Sequence, residues 1–393
     1  MQKSNSDIMP AERLGAVSEY YFSRKLKEVA KMNAEGKNVI SLAIGSPDMP
    51  PSKATVDELC RVAQLPEAHG YQPTMGTPEL RNAMSRWYKR WFDVDLNPDT
   101  EIQPLIGSKE GILHITLAFV NPGDKVLVPN PGYPTYTSLS KLLGAQVVNY
   151  NLRPENNWQP NFEELESMDL SGVKLLWSNY PNMPTGANAC RSTYEKLVDF
   201  AKRHNIVVVN DNPYSFILNE HPISLLQVAG AKNYCIELNS MSKSHNMPGW
   251  RVGLAASNAG FIQWILKVKS NIDSGTFRAI QLAAVKAYDN DEQWHRMANI
   301  ETYSHRRVYA EKIMRALGCE YEKSQVGMFL WGRIPDKYKD AEELTEKVLQ
   351  EGRVFITPGF IFGTNGTRYV RISLCAKEEK LKEALKRIEN MKL

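Results

Sequence analysis

The chain has 393 residues, 42% hydrophobic and 23% charged, which suits a large buried core in two domains rather than one and excludes a disordered or low-complexity chain. Its 48 basic and 44 acidic residues are interspersed and leave a formal net charge of +4, so no basic arm or stripe points to nucleic acid. The five cysteines, Cys60, Cys190, Cys235, Cys319 and Cys375, stand far apart with no Cys-x-x-Cys spacing, which argues against a zinc site or a disulfide framework. Residues 1–10 are polar without a charged-then-apolar signal, and no apolar run approaches roughly 18 residues, so neither secretion nor a membrane span is expected. A reducing, cytoplasmic setting is the expectation.

Along the chain, Leu14, Val17, Tyr21, Leu26, Val29 and Met32 recur at roughly helical spacing over 11–36, with Gly36 as a stop. A short strand over 39–44 ends at Gly45-Ser-Pro-Asp48, a turn whose glycine lets backbone approach a ligand. Tyr71-Gln-Pro-Thr-Met-Gly-Thr-Pro-Glu-Leu-Arg81 joins a rigid turn to an amphipathic helix running through Met84, Trp87 and Tyr88. A strand over 102–106 turns at Gly107-Ser-Lys-Glu-Gly111 into an apolar helix over 112–120. Free N–H groups and the positive dipole end make such a turn a phosphate cradle, to which Ser108 adds a hydroxyl.

After a strand over 125–128, Pro129-Asn-Pro-Gly-Tyr-Pro-Thr-Tyr136 is too proline-rich for regular structure and reads as a loop. Strands over 145–150, 173–178 and 206–210, with a helix over 192–204, argue for a mostly parallel sheet with ligands beyond its carboxyl edge. The loop Tyr180-Pro-Asn-Met-Pro-Thr-Gly186 and the turn Asp211-Asn-Pro-Tyr214 lie at that edge. Asp211 follows an apolar run, so its half-buried carboxylate needs a cationic or donor partner.

A strand over 234–238 leads to Ser240-Met-Ser-Lys-Ser-His-Asn-Met-Pro-Gly-Trp-Arg-Val-Gly253, which sets Lys243 on the loop leaving that strand; a short strand follows over 251–256. A lysine amine forms a Schiff base with an aldehyde when desolvation or a neighbouring cation lowers its pKa, and Ser240, Ser242 and Arg251 can grip an anion carried by that aldehyde. Helices over 258–270 and 279–289 precede a long helix over 293–316, read as the bridge to a second domain. That domain collects a strand over 328–334, a helix over 340–351, a segment over 354–357, a strand over 369–374 and a basic terminal helix, with the N-terminal helix packed on it. Arg368 and Arg371 are three apart on an alternating strand, so they face opposite sides and one of them faces a cleft.

The segment around Lys243 resembles the Ser-x-Ser-Lys…Gly-Trp-Arg-x-Gly signature of class I/II aminotransferases, fold-type I enzymes that use pyridoxal 5′-phosphate (PLP), and matching motifs run in order from about residue 41 to residue 376. The resemblance implies an α/β fold: a large domain over 46–290 with a mostly parallel, seven-stranded-type sheet flanked by helices, and a smaller discontinuous α+β domain over 291–393 against which residues 1–45 pack. It implies a homodimer that moves an amino group from an L-amino acid to a 2-keto acid by a ping-pong route, with no metal. Lys243 is expected to carry the cofactor and move the proton, Asp211 to hold the ring nitrogen, Tyr214 to reach O3′ and Tyr133 to stack on the ring. Ser108, Lys109, Ser240, Ser242 and Arg251 are expected around the phosphate, joined by Tyr71 from the partner subunit. Gly45 is expected beside the substrate carboxylate, as the family's matching glycine is, and the family's Tyr-x-Arg-x-Ser pattern selects Arg371 as its clamp.

Tyr136 is expected in the following helix and core. Arg278 is read as a solvated helix-end arginine rather than a partner for a distal carboxylate. Met183 stands where the family usually has asparagine and offers no donor, so Tyr214 is expected to hold O3′ alone. A carbon–sulfur β-lyase shares every one of these cofactor residues and is the alternative reading. The Gly-Ser-Lys-Glu-Gly turn is similar to the diaminopimelate, aspartate and aromatic branches of the family without choosing among them.

Overall fold

The computed structural model describes residues 8–17 and 21–392. The large sheet has seven strands in the order Ile102–Leu105, Gly253–Ala256, Cys235–Ser240, Val207–Asp211, Val173–Ser178, Lys125–Asn130, Gln146–Asn151. Neighbours are parallel except at Gly253–Ala256, which runs antiparallel to both of its neighbours. Helices cover both faces, so the central strands are near-continuous apolar runs, and adjacent residues serve opposite cores. Val209, Leu175 and Leu238 pack with Ile112, Ile115, Ile262 and Ile265 on one side. Val208 and Leu176 pack with Trp87, Tyr88, Leu197 and Phe200 on the other. The five strands paired in parallel end on Asn130, Asn151, Ser178, Asp211 and Ser240, so the apolar core stops and polar groups begin at one edge of the sheet.

A smaller antiparallel sheet joins Thr357–Pro358, Tyr369–Ser373 and Phe329–Arg333, and is accompanied by helices Thr302–Ala316, Ala341–Gly352 and Glu378–Glu389. Ile40–Ser41 pairs in parallel with Val354–Phe355. Lys25 on the helix Tyr21–Ala34 bridges Glu346, and Gln350 donates to Glu28, which fastens the N-terminal helix to this unit. Among the described residues no helix is long and apolar enough to cross a membrane.

Several expected elements differ in form. The N-terminal helix is a 3-10 turn, Glu12–Ala16, and the α-helix Tyr21–Ala34; its expected course through 18–20, like the expected signal-free stretch over 1–7, lies outside the described residues. The proline-rich stretch is not all loop, because Pro134 begins the helix Pro134–Leu142, where a missing N–H and a preset φ suit the first turn. The expected helix over 293–316 is interrupted by a π-helical stretch, Arg296–Glu301, between Glu292–His295 and Thr302–Ala316.

Candidate active site

A cavity of about 360 Å³ opens at the carboxyl edge of the large sheet, where the smaller unit leans over it. Gly45, Ser108, Lys109, Tyr133, Asp211, Tyr214, Ser240, Ser242, Lys243, Arg251 and Arg371 all line it, joined from strands, turns and both units by the fold. Of the expected residues Tyr71 alone lies elsewhere, 96% exposed on its turn.

Lys243 does not sit on a loop. It belongs to a four-residue helical turn, Met241–Ser244, whose start is capped by the Ser240 hydroxyl accepting the Ser242 N–H at 3.1 Å. Its Nζ donates to the Gly45 carbonyl at 2.5 Å. Burial lowers the pKa of the amine, and the guanidinium groups of Arg371 and Arg251 lower it further, against the opposing pull of Cys375 and Asp211. Behind the turn, Asn299 from the π-helical stretch donates to the Ser244 carbonyl at 2.9 Å.

Asp211 is the last residue of its strand and is fully rather than half buried, at 4% exposure. Tyr136 donates to its Oδ2 at 2.9 Å, while Oδ1 has no hydrogen-bond partner among the described residues. Burial pushes this carboxyl up to about 7, against the Tyr136 hydrogen bond and the Lys243 ammonium. Tyr136 lies in helix and core as expected, with its ring stacked on Trp177 at 4.9 Å, and its hydroxyl in addition reaches the site. Asn179 is a second residue the motifs missed: it lines the cavity and donates to the Asp211 carbonyl at 2.6 Å. Its place directly after the strand Val173–Ser178 was the available signal.

The turn at the start of the helix Ser108–Phe119 has the form a phosphate requires. Gly107 holds φ +76, and a Cβ there would stand 2.2 Å from Arg251 Nη2. Arg251, itself at φ +58, lies over the turn with Nη2 3.4 Å from the Ile106 carbonyl and Nη1 2.8 Å from the Pro248 carbonyl. The strand expected over 251–256 therefore begins only at Gly253, since Arg251 has left extended geometry. An unpartnered carboxylate oxygen, an amine of lowered pKa and a glycine turn under a guanidinium fit a phosphate-bearing pyridine aldehyde.

Arg371 is buried and faces the cavity, donating through Nη2 to the Ala43 carbonyl at 2.8 Å, with Phe329 and Phe362 packed at 3.9 and 4.6 Å from its guanidinium. Arg368 points to the other side of the strand and binds the carbonyls of Pro335, Tyr338 and Lys339. Gly45 passes so close to Phe329 that a Cβ would meet its ring at 2.2 Å. Met183 lines the cavity, and its Sδ lies 3.2 Å from Arg371 Nη1, so the position that lacks the family's asparagine faces the clamp arginine. Arg278 lies outside the cavity and pairs with Glu79 at 3.3 Å.

The profile of the family described as Aminotransferase class I and II matches residues 37–388. An LL-diaminopimelate aminotransferase of Dehalococcoides mccartyi is 42% identical over 384 residues, 97% of this chain and 98% of that one. A protein of the same name from Aquifex aeolicus is 40% identical over 386 residues, 98% and 99% of the two chains. Among solved structures, apo-BacF from Bacillus subtilis superposes with a TM-score of 0.94 at 34% identity, covering 99% of each chain. A mutant aspartate aminotransferase from Thermus thermophilus superposes with a TM-score of 0.90 at 26% identity, over 97% of this chain and 99% of that one. Relatives named for amino transfer favour that activity over the carbon–sulfur β-lyase reading. Family profile, fold and cavity agree that this chain belongs to the class I and II aminotransferases, enzymes that depend on PLP.

Proposed function

We propose that the amino acid exchanged by this aminotransferase is LL-diaminopimelate. The observation that carries the reading is the activity named for curated relatives that span almost the whole chain. Purified protein with PLP, LL-diaminopimelate and 2-oxoglutarate is expected to form glutamate. Turnover of aspartate, N-succinyl-diaminopimelate or aromatic donors with none of LL-diaminopimelate overturns it.

When bound, PLP supplies the sink for the electron pair left at the substrate α-carbon. Lys243 Nζ would hold the cofactor aldehyde and move the α-carbon proton, work that burial favours by lowering its pKa. Asp211 Oδ1 would accept a hydrogen bond from the protonated ring nitrogen, Tyr136 holds the carboxylate through Oδ2, Asn179 holds the backbone carbonyl of the same residue, and Tyr214 would donate to O3′. Tyr133 would cover a ring face. Ser108, Lys109, Ser240, Ser242 and Arg251 would hold the phosphate, while Arg371 and the backbone at Gly45 would hold the substrate α-carboxylate. Borohydride reduction is expected to fix the cofactor on the peptide containing Lys243 and to label nothing in Lys243→Ala; label on Lys109 would replace the assignment.

The working unit in this reading is a cytoplasmic homodimer in which Tyr71 serves the partner subunit's phosphate. A 96% exposed tyrosine on a rigid turn supports it. The two-domain division over 46–290 and 291–393, with 1–45 packed on the second, draws its support from the pairing of Ile40–Ser41 with Val354–Phe355.

A further inference from the structure

Beneath the anion turn lies a buried charged cluster that the reaction does not use. Glu110, in the first turn of the helix Ser108–Phe119, accepts the Ile106 N–H on Oε2, so its carboxylate holds the backbone leading into Gly107 and Ser108. Its Oε1 receives Lys269 Nζ at 2.6 Å and faces His114 Nε2 at 2.6 Å. Lys269 also donates to both carboxylate oxygens of Asp273 at 2.8 Å, and its side chain is only 3% exposed. The ligand atoms of Glu110, His114 and Asp273 lie within 4.8 Å of one another, yet the ammonium group already stands between the two carboxylates, so the cluster is built around Lys269 and not around a metal ion.

A carboxylate there helps the turn and hinders its ligand. It fixes the amide at Ile106 and complements the helix start, but it adds a negative charge in a poorly solvated place beside the N–H groups that an anion would use. Among the described residues, the cation in contact with that carboxylate from below is Lys269. Burial works to raise the Glu110 carboxyl, but the hydrogen bonds from His114 and Lys269 outweigh it and hold the group below its ordinary range, so it is charged when an anion arrives. Burial and the neighbouring Glu110 push the Asp273 carboxyl up.

We infer that Lys269 is a positioning residue for the cofactor phosphate: by neutralising Glu110 it lets a carboxylate brace the turn 106–108 from beneath without repelling the anion bound above. The inference rests on the reading that this turn receives the PLP phosphate.

The test compares PLP with pyridoxal, which lacks the phosphate, by absorbance titration of cofactor-free protein. In Lys269→Met the affinity for PLP is expected to fall roughly tenfold or more, with pyridoxal changed less than about twofold. Adding Glu110→Gln, which removes the exposed charge and keeps an acceptor for Ile106, is expected to recover PLP affinity to within about threefold of wild type. Equal losses for both ligands, or no recovery in the double variant, would reduce Lys269 to a merely structural role and overturn the proposal. Should Lys269→Met not fold, the double variant decides, since loss of its preference for PLP over pyridoxal contradicts charge compensation. Ser108→Ala separates the two levels of the argument. If it lowers the preference for PLP and Lys269→Met does not, the charge inference fails alone; if neither does, the phosphate is not at this turn.

Discussion

Asp211 carries one hydrogen-bonded carboxylate oxygen and one without a partner among the described residues, deep in apolar surroundings. Its folded-state pKa of about 7 stands above the ordinary aspartate value near 3.9, so the ligand-free fold binds this proton more tightly than the unfolded chain does. The resulting stability is present below about pH 4 and is lost as pH rises towards about 7. Asp211→Asn stays neutral throughout, so ligand-free wild type is expected to lose stability relative to it across that window, by on the order of a few kcal/mol. Parallel melting temperatures against pH would show that Asp211 does not titrate as a buried acid. The same variant should bind PLP more weakly by about 1.5 to 3 kcal/mol, the size of a charge-assisted hydrogen bond, as titration of the cofactor absorbance will read. Arg371 is boxed by Phe22, Phe329 and Phe362, so Arg371→Leu places an apolar group among apolar rings and leaves the fold intact. Steady-state kinetics are expected to show KM for the amino donor rising by at least roughly tenfold per hydrogen bond lost, with PLP affinity nearly unchanged. A larger effect from Arg368→Leu would reverse the choice of strand face.

The helical turn Met241–Ser244 is too short to be stable alone, and its carbonyls need partners from elsewhere. Asn299 supplies one of them from the π-helical stretch, a form often found where function constrains a helix. Asn299→Leu keeps the bulk and leaves the buried Ser244 carbonyl without that donor, so urea denaturation should show a loss of about 1 to 3 kcal/mol. An unchanged unfolding midpoint would mean that the contact contributes nothing. The elements around the site were legible in the order of their apolar runs and turns, and the departures are local. Lys243 reads as loop because it follows the strand over 234–238, and nothing in the adjoining residues announces a partner side chain from residue 299.

At the scale of the whole molecule, the proposed role of Tyr71 would make each active site the property of two chains. Tyr71→Ala and Lys243→Ala are each expected to be inactive alone, while their mixed dimer contains one site with both an intact lysine and an intact partner tyrosine. Random reassortment of equal amounts should therefore restore about a quarter of wild-type activity, because half of the dimers are hybrids and half of their sites are whole. Mixing that restores nothing, under conditions where sedimentation shows exchange of subunits, would place Tyr71 outside the partner's site.

The sequence by itself determined the order of the elements and which residue types stand at the strand ends, because apolar runs and turns are local; the resemblance to class I/II aminotransferases supplied the roles expected of the lysine, the strand-end aspartate, the glycine turn and one of the two arginines. Tertiary structure decided what depends on distant neighbours. Tyr136 is core by its stacking on Trp177 and a site residue by its hydroxyl, a double role created only when the fold brings it to Asp211, 75 positions away. The contact of Met183 with Arg371, 188 positions apart, and the pairing of Lys269 with Glu110, 159 positions apart, are likewise invisible locally, since a side chain's type says what it can bind and the fold alone says what it meets.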